Sequence, residues 1–239
     1  MNLSNLKIDV YSDGADIKDM KEMAKLNFVT GFTTNPSLMK SAGVEDYLTF
    51  AKEVVKEFPD KSLSFEVFSN DFETMEKEAQ VIHQLGSNIY VKIPIITADG
   101  ESTAPLIKKL SDQGIFINVT AIATIDQVND CVAAFAPGTK NLVSVFAGRV
   151  ADTGTDPTEF VKQSAEICGP VKEAYLLWAS TREVINVFQA QELGCDIITV
   201  PPSILKKLSK IGKSQLDVSL DTVRGFARDI QSLGYSILS

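Results

Sequence analysis

The chain has 239 residues, of which 44% are hydrophobic and 23% are charged, as is typical of a globular protein with a sizeable core. Its net charge of −8 argues against nucleic acid and anionic membranes as partners, because an acidic surface repels both. The three cysteines are widely spaced and predict neither a disulfide framework nor a metal site, which favours a reducing cytoplasm. The N-terminus lacks a signal pattern and no apolar run has the length of a membrane span, so we expect a soluble, cytoplasmic protein.

Short apolar segments alternate with amphipathic stretches of helical length along the chain. The predicted strands lie at 7–13, 28–35, 62–68, 89–95, 115–122, 141–149, 174–180 and 197–201. Alternating strands and helices indicate a parallel sheet, and eight such units predict an α/β fold, a single (β/α)8 TIM barrel over residues 1–239. An open doubly wound sheet is the main alternative, but no Gly-rich GxGxxG turn follows the first strand.

An extra C-terminal helix is predicted at 216–233, within a helical extension that covers 216–239. It follows the eighth strand and therefore lies outside the repeating units of the barrel. It can pack on its own barrel or on a neighbouring subunit, and we expect the protein to be a homo-oligomer.

Lys92 interrupts an otherwise apolar predicted strand, NIYVKIPII at 88–96. Burying an unpaired ammonium group costs several kcal/mol, so a lysine in such a place often has a chemical role. It can act as an amine nucleophile that holds a carbonyl substrate as a Schiff base. The alternatives are that the strand ends at Val91 and Lys92 reaches solvent, or that Lys92 pairs with a carboxylate.

Polar residues stand near the end of almost every predicted strand, where a barrel of this type builds its active site. They are Asp13, Asn35, Glu66, Lys92, Asn118 with Thr120, Ser144 with Arg149, and Ser180 with Arg182. Side chains two positions apart on a strand share a face, so Asn118 and Thr120 point to the same side. Burying several polar groups inside a barrel costs free energy, so such a cluster indicates that the groups have a function.

Some of these residues also have structural explanations. Asn35, which is followed by proline, has the form of a helix N-cap as well as that of a ligand-binding residue. The segment from Ser180 to Glu183 matches a capping box. Asp16 is predicted to cap the first helix, which leaves Asp13 without a structural task.

Arg149 and Arg182 follow consecutive strands and together can clamp a phosphate group. A cation in the first turn of a helix, where Arg182 is predicted, is unfavourable unless an anion binds there. The alternative is a solvated arginine that pairs with Asp152 or Glu183.

The motifs resemble those of the class I transaldolases, in particular the short subfamily related to fructose 6-phosphate aldolase. The resemblance runs from about residue 13 to residue 202. Its motifs are DGAD at 13–16, GFTTNPSL at 31–38, FEV at 65–67, VKIP at 91–94, NVT at 118–120, SVFAGR at 144–149 and ASTR at 179–182. Six or more of them in the family's order is a specific signal.

The resemblance implies the roles of the site residues. Lys92 would form the Schiff base, Asp13 would be the general acid and base, and Glu66 and Thr120 would hold a catalytic water. The expected substrate-binding residues are Thr34, Asn35, Asn118, Ser144, Phe146, Trp178 and, near the phosphate, Arg149, Ser180 and Arg182. No metal and no cofactor are implied, and the substrates would be sugar phosphates.

Glu66 and Phe146 are similar to transaldolase, since the hydrolytic aldolases have Gln and Tyr there. The resemblance therefore implies transfer of a dihydroxyacetone unit between a ketose phosphate and an aldose phosphate, in carbohydrate metabolism and the pentose phosphate pathway. Two alternatives stay open. One is a Schiff-base aldolase or lyase acting on a different sugar or sugar derivative, and the other is a non-catalytic sugar-phosphate-binding barrel.

The chain departs from the family pattern at four positions. Gly14 replaces Thr or Ser, Val145 replaces a proline, and Ala123 replaces a bulky residue. Trp178 is the largest departure, because its parity predicts that it faces the barrel interior with Ser180, where relatives carry Gly or Ala. It either narrows the substrate pocket or fills space in a repacked layer of the barrel.

Overall fold

The structure, a computed structural model, describes residues 6–238, and its eight parallel strands close into a barrel in chain order. The N-terminal residues, for which we expect no signal sequence, lie mostly outside the described range. The strands are β1 Asp9–Asp13, β2 Val29–Thr33, β3 Ser62–Glu66, β4 Ile89–Pro94, β5 Ile117–Ile122, β6 Asn141–Val145, β7 Ala174–Trp178 and β8 Ile197–Val200. The prediction of a (β/α)8 barrel is confirmed.

Helices surround the barrel on the outside. They are α1 Ile17–Ala24, α2 Pro36–Ser41, α3 Tyr47–Glu57, α4 Phe72–His83, α5 Ala104–Asp112, α6 Ile125–Ala133, α7 Ala147–Ala151, α8 Thr158–Cys168, α9 Ile185–Glu192 and α10 Pro202–Leu205, with a 3₁₀ helix Lys206–Lys210 and α11 Gln215–Leu233 after them. Over residues 6–238 no helix is both long enough and apolar enough to cross a membrane.

Alternate side chains of each strand point to the two sides of the barrel wall. On β7, Leu176 and Trp178 belong to the large apolar cluster between the strands and the helices. Leu177 belongs instead to a small cluster with Tyr11 and Ile197. The helices therefore cover most of the apolar core, and the interior face is free to carry polar residues where the strands end.

Six strands end earlier than predicted, and the ends of β6 and β7 shape the site. β6 stops at Val145 because the next residues form the short helix α7, which contains Arg149. β7 stops at Trp178, and Ser180 has a left-handed backbone with φ of 64°. The predicted N-caps are confirmed, since Asp16 accepts hydrogen bonds at the start of α1 and Asn35 accepts one from Leu38 N at the start of α2.

The predicted C-terminal helix is confirmed as α11, which begins one residue earlier than expected. Ser214 and Asp217 form a capping box at its start. Among the described residues, none of those in α11 is buried. Apart from Val218, its apolar side chains share one face of the helix, where they recur mostly at intervals of three and four residues: Leu216, Leu220, Val223, Phe226, Ala227, Ile230 and Leu233.

Candidate active site

Lys92 lies on β4 inside the barrel, and only 5% of its surface is exposed. Its Nζ donates a hydrogen bond of 2.9 Å to the carbonyl oxygen of Thr34 and lies 3.1 Å from Oε2 of Glu66. Glu66 is the register partner of Lys92 on β3, so the parallel pairing itself brings the two groups together. The strand does not end before Lys92, and the amine is held in the interior by two oxygen partners.

Asp13 lies across the barrel at the end of β1. Removal of its carboxyl group from water raises its pKa, while the positive charge of Lys92 and a hydrogen bond from Thr33 oppose this effect. The Thr33 hydroxyl donates to Oδ1 of Asp13 over 2.8 Å and lies 2.5 Å from the Thr199 hydroxyl. Since Thr33 has one proton to donate, Thr199 donates to Thr33, and the chain of hydrogen bonds fixes the carboxyl group.

The opposite wall carries a second hydrogen-bonded chain. Asn118 donates to the Ser64 hydroxyl over 3.0 Å and accepts from the Ser144 hydroxyl over 2.6 Å. All three residues are buried, so the orientation of the Asn118 amide is fixed from both sides. Thr120, two residues further along β5, is also buried, but its hydroxyl has no partner within the described part of the chain.

These groups surround a cavity of about 140 Å³ at the C-terminal ends of the strands. Its lining residues are Asp13, Thr33, Asn35, Lys92, Asn118, Thr120, Ser144, Phe146, Arg149, Ala179, Ser180, Thr181, Arg182, Thr199 and Pro201. Ten of the thirteen predicted site residues are in this set. Glu66 is not in the lining but reaches the site through its ion pair with Lys92.

The two arginines lie at the mouth of the cavity, and both are exposed. The Arg149 guanidinium is stacked over the Phe146 ring, 5.0 Å from its centroid. Arg182 forms a two-pronged ion pair with Asp152, with Nε 3.1 Å from Oδ1 and Nη2 2.5 Å from Oδ2. Arg182 therefore pairs with Asp152, as one prediction had it, and also lines the cavity.

Three expectations for this region are wrong. Trp178 does not face the interior with Ser180, because the chain leaves the strand conformation after Trp178 and the indole packs in the outer apolar cluster. Ser180 does not form a capping box, since Asn186 Oδ1 accepts the backbone N–H groups of Arg182 and Glu183. Arg182 is not in the first turn of a helix, because α9 begins at Ile185.

Thr34 was predicted to bind the substrate, but its side chain lies outside the cavity. Its hydroxyl donates to the Ser64 carbonyl oxygen over 3.0 Å, and the residue is not part of the cavity lining. Only its backbone carbonyl reaches the site, where it accepts from Lys92. Thr33, Thr181 and Thr199 line the cavity and were not predicted.

Gly148 brings two parts of the site unusually close. A Cβ atom at this position would lie 1.6 Å from the Ser180 carbonyl oxygen and 3.2 Å from Cγ of Arg182. The first turn of α7 therefore packs directly on the segment that follows β7. Only glycine permits this approach, which places Arg149 and Arg182 at the same end of the cavity.

A comparison of the sequence with known families identifies its relatives. The family model for transaldolase/fructose-6-phosphate aldolase matches residues 10–237. The chain belongs to this family. A probable transaldolase of Erythrobacter litoralis is 34% identical over 229 residues, which cover 95% of this chain and 99% of the relative. A probable transaldolase of Thermoplasma volcanium is 35% identical over 208 residues, covering 86% and 89%.

Solved structures with little sequence similarity share the fold of this member of the transaldolase/fructose-6-phosphate aldolase family. The structure of 3-hexulose-6-phosphate synthase from Salmonella typhimurium superposes with a TM-score of 0.59, covering 83% of this chain and 91% of the other. Its sequence identity is 14%, so this likeness concerns the barrel alone.

Proposed function

We propose that the protein is a transaldolase that transfers a dihydroxyacetone unit from a ketose phosphate to an aldose phosphate through a Schiff base on Lys92. The observation that carries this proposal is the buried Lys92 amine, held between Glu66 and the Thr34 carbonyl in the cavity that Asp13 also lines. An amine in such a place is suited to attack a carbonyl group, and the resulting iminium is an electron sink for carbon–carbon cleavage.

The reaction begins when Lys92 attacks the C2 ketone and loses water to form the iminium. Glu66 and Thr120 hold the water for this step, and the unpartnered Thr120 hydroxyl leaves a hydrogen-bonding position for it. Asp13 then takes the proton from the C4 hydroxyl, the C3–C4 bond breaks, and an aldose phosphate leaves. An aldose phosphate acceptor reverses these steps on the enamine that remains.

The three-carbon enamine has no phosphate, so side chains must hold its hydroxyl groups. Asn118 is suited to this role because its amide is fixed by Ser64 and Ser144 before any substrate arrives. Asn35 lines the same cavity while it caps α2. We infer that both amides bind the substrate hydroxyls and that Ser144 supports Asn118.

The phosphate of the substrate binds at the cavity mouth, near Arg149, Arg182 and Ser180. A charged hydrogen bond there contributes about 1.5 to 3 kcal/mol. Arg149→Ala should therefore raise KM for a phosphorylated ketose more than tenfold while Lys92 still forms an adduct with unphosphorylated dihydroxyacetone. An unchanged KM in both single alanine variants of Arg149 and Arg182 would remove the phosphate assignment.

Transfer and simple aldol cleavage are separated by an acceptor experiment. Release of aldehyde from a ketose phosphate is measured with and without an aldose phosphate acceptor. We expect release to depend on the acceptor, because Phe146 has no hydroxyl that could assist protonation of the enamine. Phe146→Tyr should raise the acceptor-independent rate. If the wild type releases aldehyde and free dihydroxyacetone equally fast without acceptor, the protein is an aldolase of the same Schiff-base type.

We further propose that the chain is one barrel domain and that residues 216–239 extend it to contact a second copy of the same chain. Most of the stability of a helix in a protein comes from packing of its apolar face, so the exposed apolar face of α11 indicates a partner. Phe226 and Ile230 are 60% and 61% exposed on that face. The same stripe repeats at seven-residue spacing in Leu216, Val223 and Ile230, which is the pattern of a helix that packs on another helix.

The assembly is tested by sedimentation of a matched pair of variants. Ile230→Asp adds a carboxylate to the apolar face, whereas Ser232→Asp adds the same charge to the opposite face. We expect Ile230→Asp to lower the mass of the particle and Ser232→Asp to leave it unchanged. A wild-type particle with the mass of a single chain would contradict the proposal.

Three free, buried cysteines support a reducing cytoplasm as the location.

A further inference from the structure

Asp152 lies beside the cavity without lining it. It caps the C-terminus of α7, and its carboxylate contacts Arg182 through both oxygens. Arg182 lines the cavity and Asp152 does not, so the carboxylate approaches the guanidinium from the side away from the cavity. The hydrogen bond from Arg182 holds the pKa of Asp152 below its ordinary value, so the pair is ionised at neutral pH.

The geometry of the guanidinium determines what this contact leaves free. The group carries five N–H donors in a rigid plane, and Asp152 takes one from Nε and one from Nη2. Three donors remain free, and one donor of Nη1 together with the second donor of Nη2 forms the other edge of the group. That edge matches two oxygens of a phosphate group.

We propose that Asp152 is a positioning residue, which fixes Arg182 so that its free edge faces the phosphate of the substrate and so raises selectivity for phosphorylated sugars. The inference rests on the proposed function, because it requires a phosphate at Arg182. Without Asp152 the long Arg182 side chain samples many rotamers at the exposed cavity mouth. Ordering a freely rotating arginine side chain on binding lowers the affinity by up to roughly 30-fold, because its rotamer entropy is lost. Asp152 removes part of this cost in advance, so we expect its loss to weaken phosphate binding about five- to tenfold.

The negative charge of Asp152 has an opposing effect on phosphate binding. The Asp152 carboxylate repels an anionic substrate, and its removal would by itself improve phosphate binding. Water screens this repulsion at the exposed cavity mouth, where 45% of the Arg182 side chain and 54% of the Asp152 side chain are accessible. Loss of orientation therefore dominates, and the net effect of removing Asp152 is weaker binding.

The test compares Asp152→Asn, Asp152→Ala and Asp152→Glu with Glu183→Gln as the matched control. Glu183 directly follows Arg182, and Glu183→Gln removes one negative charge, as Asp152→Asn does. Within residues 6–238, Glu183 makes no ion pair with Arg182. KM for fructose 6-phosphate and covalent adduct formation with unphosphorylated dihydroxyacetone are measured for each variant. Asp152→Ala is also combined with Arg182→Ala.

We expect Asp152→Asn and Asp152→Ala to raise KM for fructose 6-phosphate five- to tenfold, with partial recovery in Asp152→Glu. Adduct formation with dihydroxyacetone and the KM of Glu183→Gln should stay within twofold of wild type. In the Arg182→Ala background the Asp152 substitution should add nothing.

Three results would overturn the inference. If Arg182→Ala raises KM but the Asp152 variants do not, Asp152 has no positioning role. If Asp152→Ala has the same effect with and without Arg182, it acts through another group. If instead Arg182→Ala leaves KM unchanged, the phosphate role of Arg182 in the proposed function fails, and this inference fails with it.

Discussion

Gly148→Ala should damage the site although it adds a single methyl group. The new Cβ would lie 1.6 Å from the Ser180 carbonyl oxygen, and this neighbour is backbone rather than a flexible side chain. To reach a normal carbon–oxygen separation of about 3.3 Å, the carbonyl would have to move by roughly 1.7 Å. Ser180 already has a left-handed backbone, which leaves it little room to adapt.

The size of the effect follows from the contact. Glycine to alanine inside a helix ordinarily stabilises a protein by about 0.5 to 1 kcal/mol. Here overpacking against a fixed carbonyl should instead cost about 3 kcal/mol. For a chain of this length that corresponds to a fall in Tm of about 6 to 12 °C. A shift of Ser180 and Arg182 by 1 Å or more should also lower kcat/KM for a phosphorylated substrate about 100-fold.

Thermal unfolding and steady-state kinetics measure the two effects. Gly225→Ala is the matched control, because the nearest atom to its new Cβ would be the Arg228 Nη2 at 3.9 Å. It lies on the polar face of α11 and should raise Tm slightly with unchanged kinetics. A Gly148→Ala protein as stable and as active as wild type would refute the steric argument and the close packing of α7 on the segment after β7.

Three other substitutions test separate parts of the site. Thr120→Val should raise the free energy of unfolding by about 1 kcal/mol, because it removes a buried hydroxyl without a partner. The same substitution should lower kcat about 100-fold. A stable and fully active variant would show that the reaction does not use the hydroxyl. Trp178→Phe should leave KM within twofold, since the indole lies in the outer cluster; a large change in KM would return Trp178 to the pocket. Burial raises the pKa of Asp13, so the acidic limb of kcat/KM should lie above the range of an exposed aspartate, because protonation at falling pH removes the base. Asp13→Asn should abolish that limb together with most of the activity, and an unchanged pH profile would exclude Asp13 as the base.

The regular parts of the barrel could be predicted from the sequence because hydrophobic periodicity and strand parity are local properties. The alternation of side chains along a strand correctly places Lys92 and Asn118 on the interior face. It also predicts an interior position for Thr33, which stands two residues after Gly31 on the same face of β2. Thr33 was not predicted, because only the later residues Thr34 and Asn35 of the motif at 31–38 were assigned to the site.

Parity fails where the chain leaves the strand. Trp178 and Ser180 are two positions apart, but a left-handed residue separates the strand from the loop and turns the two side chains in different directions. The capping box was predicted from residue types alone, whereas in the structure Asn186 takes the donors from a position further along. The sequence left the partner of Arg182 open between Asp152 and Glu183, because the ion pair with Asp152 joins residues 30 positions apart and the close packing at Gly148 has no local pattern.

Lys92 is the proposed nucleophile, and borohydride reduction identifies the nucleophile directly. The protein is incubated with dihydroxyacetone or a ketose phosphate, reduced, digested and analysed by peptide mass, beside a Lys92→Met variant. We predict a covalent adduct on the peptide that contains Lys92 in the wild type and none in the variant, because burial keeps this amine within reach of a bound ketone. An adduct on Lys108 or Lys109, or full activity without any trapped adduct, would contradict it.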